Sequence, residues 1–143
     1  MSTAKLNTKF KHSTTETYTL EEIKVQFEVG WHKLLDKAFR MVSFIEGAEI
    51  KSAVRNNGLL HVYVEAPDPE KQEAAEGVAW KVERLSAKVC EGCGNYGTRR
   101  KNLKHPRNYC ATCFAIFLNK QDDPLSLFLP GKSGLFNDEI TEG

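Results

Sequence analysis

The sequence predicts an α+β fold, in which a small α-β-β-α body precedes a C-terminal finger that contains four cysteines. Three observations predict it: two segments with the apolar spacing of amphipathic helices, an Asn-Gly turn between two short alternating segments, and two Cys-x-x-Cys pairs. At 143 residues the chain has room for one ordinary globular domain. We divide it into a flexible basic arm (1–18), the body (19–88), the finger (89–121) and an acidic tail with apolar residues (122–143).

The body is predicted to begin with one long helix. Thr19 and Glu22 have the spacing of a capping box, and apolar residues recur at helical spacing from Ile23 to Ile45. We therefore expect a continuous helix that ends near Gly47.

A β-hairpin is predicted after this helix. Two short segments with partly alternating apolar residues, 48–54 and 59–66, are joined through Asn56, Asn57 and Gly58. An Asn-Gly pair readily takes the positive φ angles that a tight hairpin turn requires. We therefore expect the two segments to pair as antiparallel strands.

The second helix is predicted to begin at Pro69, because Asp68 is a good N-cap and proline is favoured at the first helical position. Its buried stripe is predicted to consist of Ala75, Val78, Ala79, Val82 and Leu85. The large side chains predicted to fill the thin core are Trp31, Phe39, Phe44 and Trp80.

The clearest chemical signal is the two cysteine pairs, Cys90 with Cys93 and Cys110 with Cys113. Two residues between cysteines let one tight turn present both sulfurs to one ion, and Zn²⁺ favours four thiolates in a tetrahedron. We predict one structural Zn²⁺ with all four as ligands. A short helix predicted over 114–120 would make the finger a treble clef, whereas two hairpin turns would make it a zinc ribbon.

Four protein ligands leave no position for a catalytic water, and the sequence contains no catalytic motif that we recognise. We therefore expect no enzymatic activity and no small-molecule substrate. No apolar run is long enough to span a membrane and none follows the polar start, so we expect a cytoplasmic protein without a membrane partner. A reducing compartment also favours metal-bound cysteines over disulfides.

The finger is basic, whereas the body and the tail are acidic. Basic side chains between the cysteine pairs predict contact with the phosphates of a nucleic acid. An alternative is that these cations balance the net negative charge of Zn²⁺ with four thiolates. The candidate nucleic-acid-binding residues are Arg99, Arg100, Lys101, Lys104 and Arg107.

The tail supports a competing prediction, namely that the chain binds a host protein. Apolar anchors in a flexible polar segment can dock in a partner's groove, and the candidates are Leu125, Leu127 and Phe128. With Ser126 they resemble the short bacterial sliding-clamp-binding motif, although Pro124 stands where that motif has glutamine. The same side chains could instead pack on the thin core of the body.

Gly30-Trp31, the strand over 59–64 and the Cys-Glu-Gly-Cys turn before Gly94 resemble a group of small uncharacterised proteins encoded by bacteria and by their phages and plasmids. The resemblance covers about residues 28–113. Members often end the finger in Cys-x-x-His, where this chain has Cys113. The resemblance implies a helix-hairpin-helix body, zinc and an accessory or regulatory role.

Together these observations predict a non-enzymatic zinc-binding accessory protein, of bacterial or mobile-element origin, that binds nucleic acid through its basic finger. The alternative is a modulator or inhibitor of a host protein, such as replication or defence machinery, that acts through the tail or the finger.

Overall fold

The computed structural model describes residues 17–130, and the statements below concern that part of the chain. Helices and two small antiparallel sheets alternate along it, which confirms the α+β class. The helices are α1 (Leu20–Lys24), α2 (His32–Ser43), α3 (Pro69–Ser86) and α4 (Ala111–Asn119). The strands are β1 (Glu49–Asn56), β2 (Leu59–Glu65), β3 (Thr98–Arg100) and β4 (Arg107–Tyr109). Short 3-10 turns cover Val29–Trp31 and Pro124–Leu127.

The single helix predicted from Thr19 to Ile45 is wrong, because the chain forms α1 and α2 with a break between them. The capping box itself is present: the Glu22 backbone amide donates to Thr19 Oγ1 over 3.1 Å, and the Thr19 amide donates to Glu22 Oε1 over 2.8 Å. The helix starts where the sequence indicates and then stops after five residues.

The break between α1 and α2 comes from a tertiary contact at Gly30. Its amide donates to the Glu91 carbonyl over 2.8 Å, and a Cβ at Gly30 would lie 2.2 Å from the Cys90 carbonyl oxygen. His32 Nε2 donates to the Lys24 carbonyl over 2.9 Å. This bond gives a hydrogen-bond partner to a backbone carbonyl at the C-terminal end of α1. Contact with the first cysteine turn therefore outweighs the helical pattern.

Strands β1 and β2 form the predicted antiparallel hairpin. Asn57 and Gly58 have φ angles of 61° and 81°, as a two-residue hairpin turn requires. Helix α3 lies along β2: Ser86 Oγ accepts from the Leu60 amide over 2.8 Å, and Gln72 Oε1 accepts from the Ala66 amide over 2.7 Å. These side chains use polar groups at the ends of β2 that would otherwise be open to pairing with another chain.

Helix α3 begins at Pro69 as predicted, with Asp68 as its N-cap. The Lys71 backbone amide donates to Asp68 Oδ1 over 2.9 Å, and this bond lowers the pKa of the Asp68 carboxyl. Leu85 is 36% exposed, so the prediction that it belongs to the buried stripe is wrong. The buried residues of this helix are Ala75, Ala79, Val82 and Ser86.

The prediction that four aromatic residues fill the core is also wrong for two of them. Trp31 is fully buried and Phe39 packs at the edge of the core, but Phe44 is 79% exposed and Trp80 is 60% exposed. Phe44 lies beyond the last turn of α2, and Trp80 lies about 100° around α3 from Ala79, away from the buried stripe. The core is closed instead by medium-sized side chains, chiefly Ile23, Leu34, Leu35, Ile50, Leu60, Val62 and Val82.

The described part of the tail lies against the finger. The Lys104 amide donates to the Leu127 carbonyl and the Leu129 amide donates to the Asn102 carbonyl, each over 2.8 Å. Phe128 thereby pairs with Leu103, whose side chain is buried. The four segment boundaries stay predictions, and residues 1–16 of the arm and 131–143 of the tail lie outside the described part. No helix within 17–130 combines the length and apolar character of a membrane span.

Candidate metal centre

The structure brings the four predicted ligands together. The sulfurs of Cys90, Cys93, Cys110 and Cys113 all lie within 4.8 Å of one another, and the Cys93 and Cys110 sulfurs are 3.9 Å apart. A tetrahedral site with Zn–S bonds of about 2.3 Å places its sulfurs about 3.8 Å apart. The four cysteines are therefore positioned to bind one metal ion, and their spacing is consistent with a structural zinc.

The first cysteine turn is shaped by glycines that leave room for the cluster. A Cβ at Gly92 would lie 2.9 Å from Cys113 Sγ, so a side chain there would meet the sulfur. Gly94 has a φ of 86°, which glycine adopts without strain, and its amide donates to the Cys90 carbonyl over 2.9 Å. Only a turn with small residues here lets the second pair approach.

The second pair lies at the start of α4. Cys110 is the N-cap, and its sulfur accepts from the Cys113 backbone amide over 3.4 Å. This hydrogen bond favours the thiolate and lowers the pKa of Cys110 to about 7. Burial, followed by the neighbouring sulfurs, raises the pKa of Cys113. A cation held by these four sulfurs would supply the positive charge that lets them all ionise together.

Glu91, between the first two ligands, ties the centre to the body. Its carboxylate is almost fully buried and accepts from Arg55 Nε and from the Asn108 backbone amide, each over 2.8 Å. Arg107 NH1 lies 3.9 Å from the same carboxylate. Burial raises the pKa of Glu91, and these three partners oppose that rise. The body hairpin and the finger hairpin therefore meet at one buried carboxylate.

Asn108 makes a second buried link between finger and body. Its side chain is fully buried, and Nδ2 donates to the carbonyls of Ala87 and Ser86 over 2.7 and 3.2 Å. Ser86 is the last residue of α3 and Ala87 is its C-cap, so both carbonyls lie at the C-terminal end of that helix. Gly97 fits against Asn108 because a Cβ there would lie 2.1 Å from Oδ1.

The arginines of the basic finger are largely engaged within the protein. Arg100 donates to the Tyr109 carbonyl over 2.9 Å and lies 4.5 Å from the centre of the Phe114 ring. Arg107 donates to Glu28 Oε2 over 3.2 Å and lies 5.1 Å from the centre of the Phe117 ring. Arg99 packs its aliphatic stem against Gly58 of the body hairpin.

Tyr109 completes this group beside the cluster. Its hydroxyl donates to the Glu28 carboxylate, and its ring centre lies 5.2 Å from that of Phe117. Burial, followed by the bond to Glu28, raises the pKa of Tyr109. Guanidinium groups and rings thus pack together along α4, the helix that begins at the second cysteine pair.

The remaining predicted binding residues are more open. Lys101 and Lys104 have exposed side chains in the turn between β3 and β4. Leu125 is 72% exposed, whereas Leu127 and Phe128 are half-buried. The structure places these residues but tests neither nucleic-acid nor protein contact, so both stay predictions.

Sequence reasoning missed Gly30, Glu91 and Asn108 as parts of this centre. Glu91 was visible as a charged residue between two ligands, and Gly30 as a glycine within a helical pattern. Nothing in the sequence distinguishes Asn108 from an asparagine in an exposed loop.

Comparisons of the chain with protein-family models, with curated proteins and with solved structures each give no match. The resemblance to small bacterial and mobile-element proteins therefore stays a prediction.

Proposed function

We propose that the chain is a non-enzymatic accessory protein whose fold is completed by one structural Zn²⁺ and whose C-terminal section binds another protein. Four thiols at tetrahedral spacing support zinc, and a complete set of protein ligands leaves no position for a catalytic water. The order of cysteine turn, hairpin and ligand-bearing helix supports the treble-clef alternative. A reducing compartment such as the cytoplasm keeps the thiols available for metal.

The identity of the metal is tested on the purified full chain. Elemental analysis is expected to find one zinc per chain, and none after Cys110→Ser. Replacement by Co²⁺ is expected to give the absorption bands of a tetrahedral thiolate site. Iron as the bound element, or zinc retained at full occupancy in Cys110→Ser, would contradict the assignment.

One observation carries the protein-binding proposal: the apolar C-terminal section, residues 111–129, has no buried large apolar side chain. Ile116 is 49% exposed and Leu125 is 72% exposed, whereas the core residues of the body are at most 8% exposed. Apolar surface that a fold leaves uncovered commonly marks a protein interface. The large apolar residues in question are Phe114, Ile116, Phe117, Leu118, Leu125, Leu127, Phe128 and Leu129.

The test is affinity purification of the tagged, zinc-loaded chain from a lysate of its source cells, treated with nuclease. We expect a stoichiometric protein that is lost when Ile116→Ser and Leu125→Ser are combined. Phe44→Ser is the matched control, because Phe44 is an apolar side chain at the end of α2 that is more exposed than Ile116 or Leu125. A partner that ignores the double variant, or that is lost only with Phe44→Ser, would refute the proposal.

Nucleic-acid binding is the second candidate, favoured by the exposed side chains of Lys101 and Lys104 in the β3–β4 turn. Arg100 and Arg107 are engaged internally and Arg99 is half-buried, so these two lysines are the exposed Lys and Arg side chains of this hairpin region. Two contacts predict a log-log salt slope of about −2. Fluorescence anisotropy with labelled DNA and RNA tests this, with Lys101→Glu plus Lys104→Glu as the variant and Lys33→Glu plus Lys37→Glu on α2 as the control.

A further inference from the structure

The outer face of α3 carries one continuous stripe of exposed residues, which we call the Trp80 face. Its members follow one another at intervals of three or four residues and lie opposite the buried stripe of the helix. They are Glu70, Glu73, Gly77, Trp80, Arg84 and Lys88.

Trp80 stands in the middle of this face beside an open notch. The residue is 60% exposed, with the Arg84 guanidinium carbon 4.6 Å from the ring centre. No heavy atom from beyond the local helix backbone and chain neighbours lies within 4 Å of the place a Cβ of Gly77 would take, in the structure of residues 17–130. A large amphipathic ring thus lies next to a position that has no side chain to fill the space above it. An exposed Trp80 ring beside the open position above Gly77 can accommodate an aromatic ring from another molecule.

The charges along the Trp80 face are arranged so that the face complements itself. Glu70 and Glu73 lie near the N-terminal end of α3, and Arg84 and Lys88 lie at or just beyond its C-terminal end. Gly77 and Trp80 are equally far from a midpoint between positions 78 and 79, as are Glu73 and Arg84, and Glu70 and Lys88 match the same midpoint to within one residue. When two copies of the helix run antiparallel about that midpoint, each glutamate faces a basic residue of the other copy.

We propose that the Trp80 face binds a second copy of this chain, with the two α3 helices antiparallel about a two-fold axis. The Trp80 rings meet at the axis, each reaching over Gly77 of the other copy. Glu73 of each copy pairs with Arg84 of the other, and Glu70 pairs with Lys88. A parallel arrangement would instead set like charges against each other.

The dimer is expected to be weak and reversible. Helix α3 has 18 residues, so it is about 27 Å long. One such helix on each side covers less than the roughly 1,600 Å² of a standard stable interface. The ion pairs lie near the surface, so salt is expected to weaken the association.

Sedimentation velocity of the zinc-loaded full chain over a wide concentration range tests the proposal. We expect a sedimentation coefficient that rises with concentration for the natural sequence and stays at the monomer value for Trp80→Ala. Arg84→Glu is expected to weaken association about tenfold or more, because it sets like charges together twice in each dimer. The charge swap Glu73→Arg with Arg84→Glu is expected to restore it.

Lys37→Glu on α2 is the matched control for the charge change and is expected to leave association unchanged. Melting curves confirm that each variant folds. Trp fluorescence gives a second readout: Trp31 is already buried, so a blue shift with concentration reports burial of Trp80. A chain that is monomeric at every concentration, or a dimer that is insensitive to Trp80→Ala or is not restored by the charge swap, would overturn the proposal.

Discussion

Gly30 and Gly77 both lie in segments with helical patterns, yet their surroundings differ completely. A Cβ at Gly30 would meet the Cys90 carbonyl at 2.2 Å, whereas within the described chain one at Gly77 would meet nothing within 4 Å beyond its chain neighbours and the local helix backbone. We expect Gly30→Ala to destabilise the protein by about 2–3 kcal/mol through overpacking. Gly77→Ala should stabilise it by roughly 0.5–1 kcal/mol through helix propensity. Chemical denaturation of dilute, zinc-loaded protein measures both, and two changes of the same sign would contradict this account.

Asn108 provides a second prediction at the scale of one residue. Asn108→Asp keeps the shape of the side chain but replaces the amide donor with a carboxylate that faces the carbonyls of Ser86 and Ala87. Burying that charge without a donor should cost about 3 kcal/mol or more. The same substitution at exposed Asn119 serves as the control and should change the free energy of unfolding by about 0.5 kcal/mol or less. Equal losses for the two variants would show that Asn108 is not the buried donor.

At the scale of elements, the sequence predicts those parts of the fold that local chemistry determines. The capping box at Thr19, the Asn57-Gly58 turn and the Asp68-Pro69 start of α3 are all confirmed. The break after α1 was missed because it depends on Gly30 meeting a turn about sixty residues away in the chain, which no local pattern records. Likewise, the two cysteine pairs predict the metal site, but the buried position of Glu91 depends on Arg55 in another element.

The finger elements should depend on the metal, because β3 and β4 are three residues each and α4 has no buried residue. Removing the metal with a chelator, or Cys110→Ser, is expected to abolish the helical circular-dichroism signal of α4. It should also red-shift the fluorescence of Trp31, whose indole donates to the Val89 carbonyl beside the first ligand. Added Zn²⁺ should reverse the chelator effect but not the mutation. An unchanged melting curve after verified metal removal would contradict a structural role.

At the scale of the whole molecule, polar contacts join the finger to the body at several points. Gly30 meets Glu91, Arg55 meets Glu91, and Asn108 meets the end of α3. Buried polar links of this kind are costly to break singly. The metal-loaded chain should therefore unfold in one cooperative transition, although its hydrophobic core lies almost wholly in the body.

Deletions in the tail show whether residues 122–130 belong to this cooperative unit. Residues 127–129 bond to the backbone of residues 102–104 and help cover Leu103, so they belong to the folded finger. Deleting residues 122–143 should lower the free energy of unfolding by about 2–4 kcal/mol, from exposure of Leu103 and loss of two backbone hydrogen bonds. Deleting only residues 131–143 keeps those contacts and serves as the control for the longer deletion. Urea denaturation of the zinc-loaded proteins measures both losses. If the longer deletion lowers the free energy of unfolding no more than the shorter one, residues 122–130 contribute no stability. Leu125 to Phe128 would then be available to bind a partner without loss of stability.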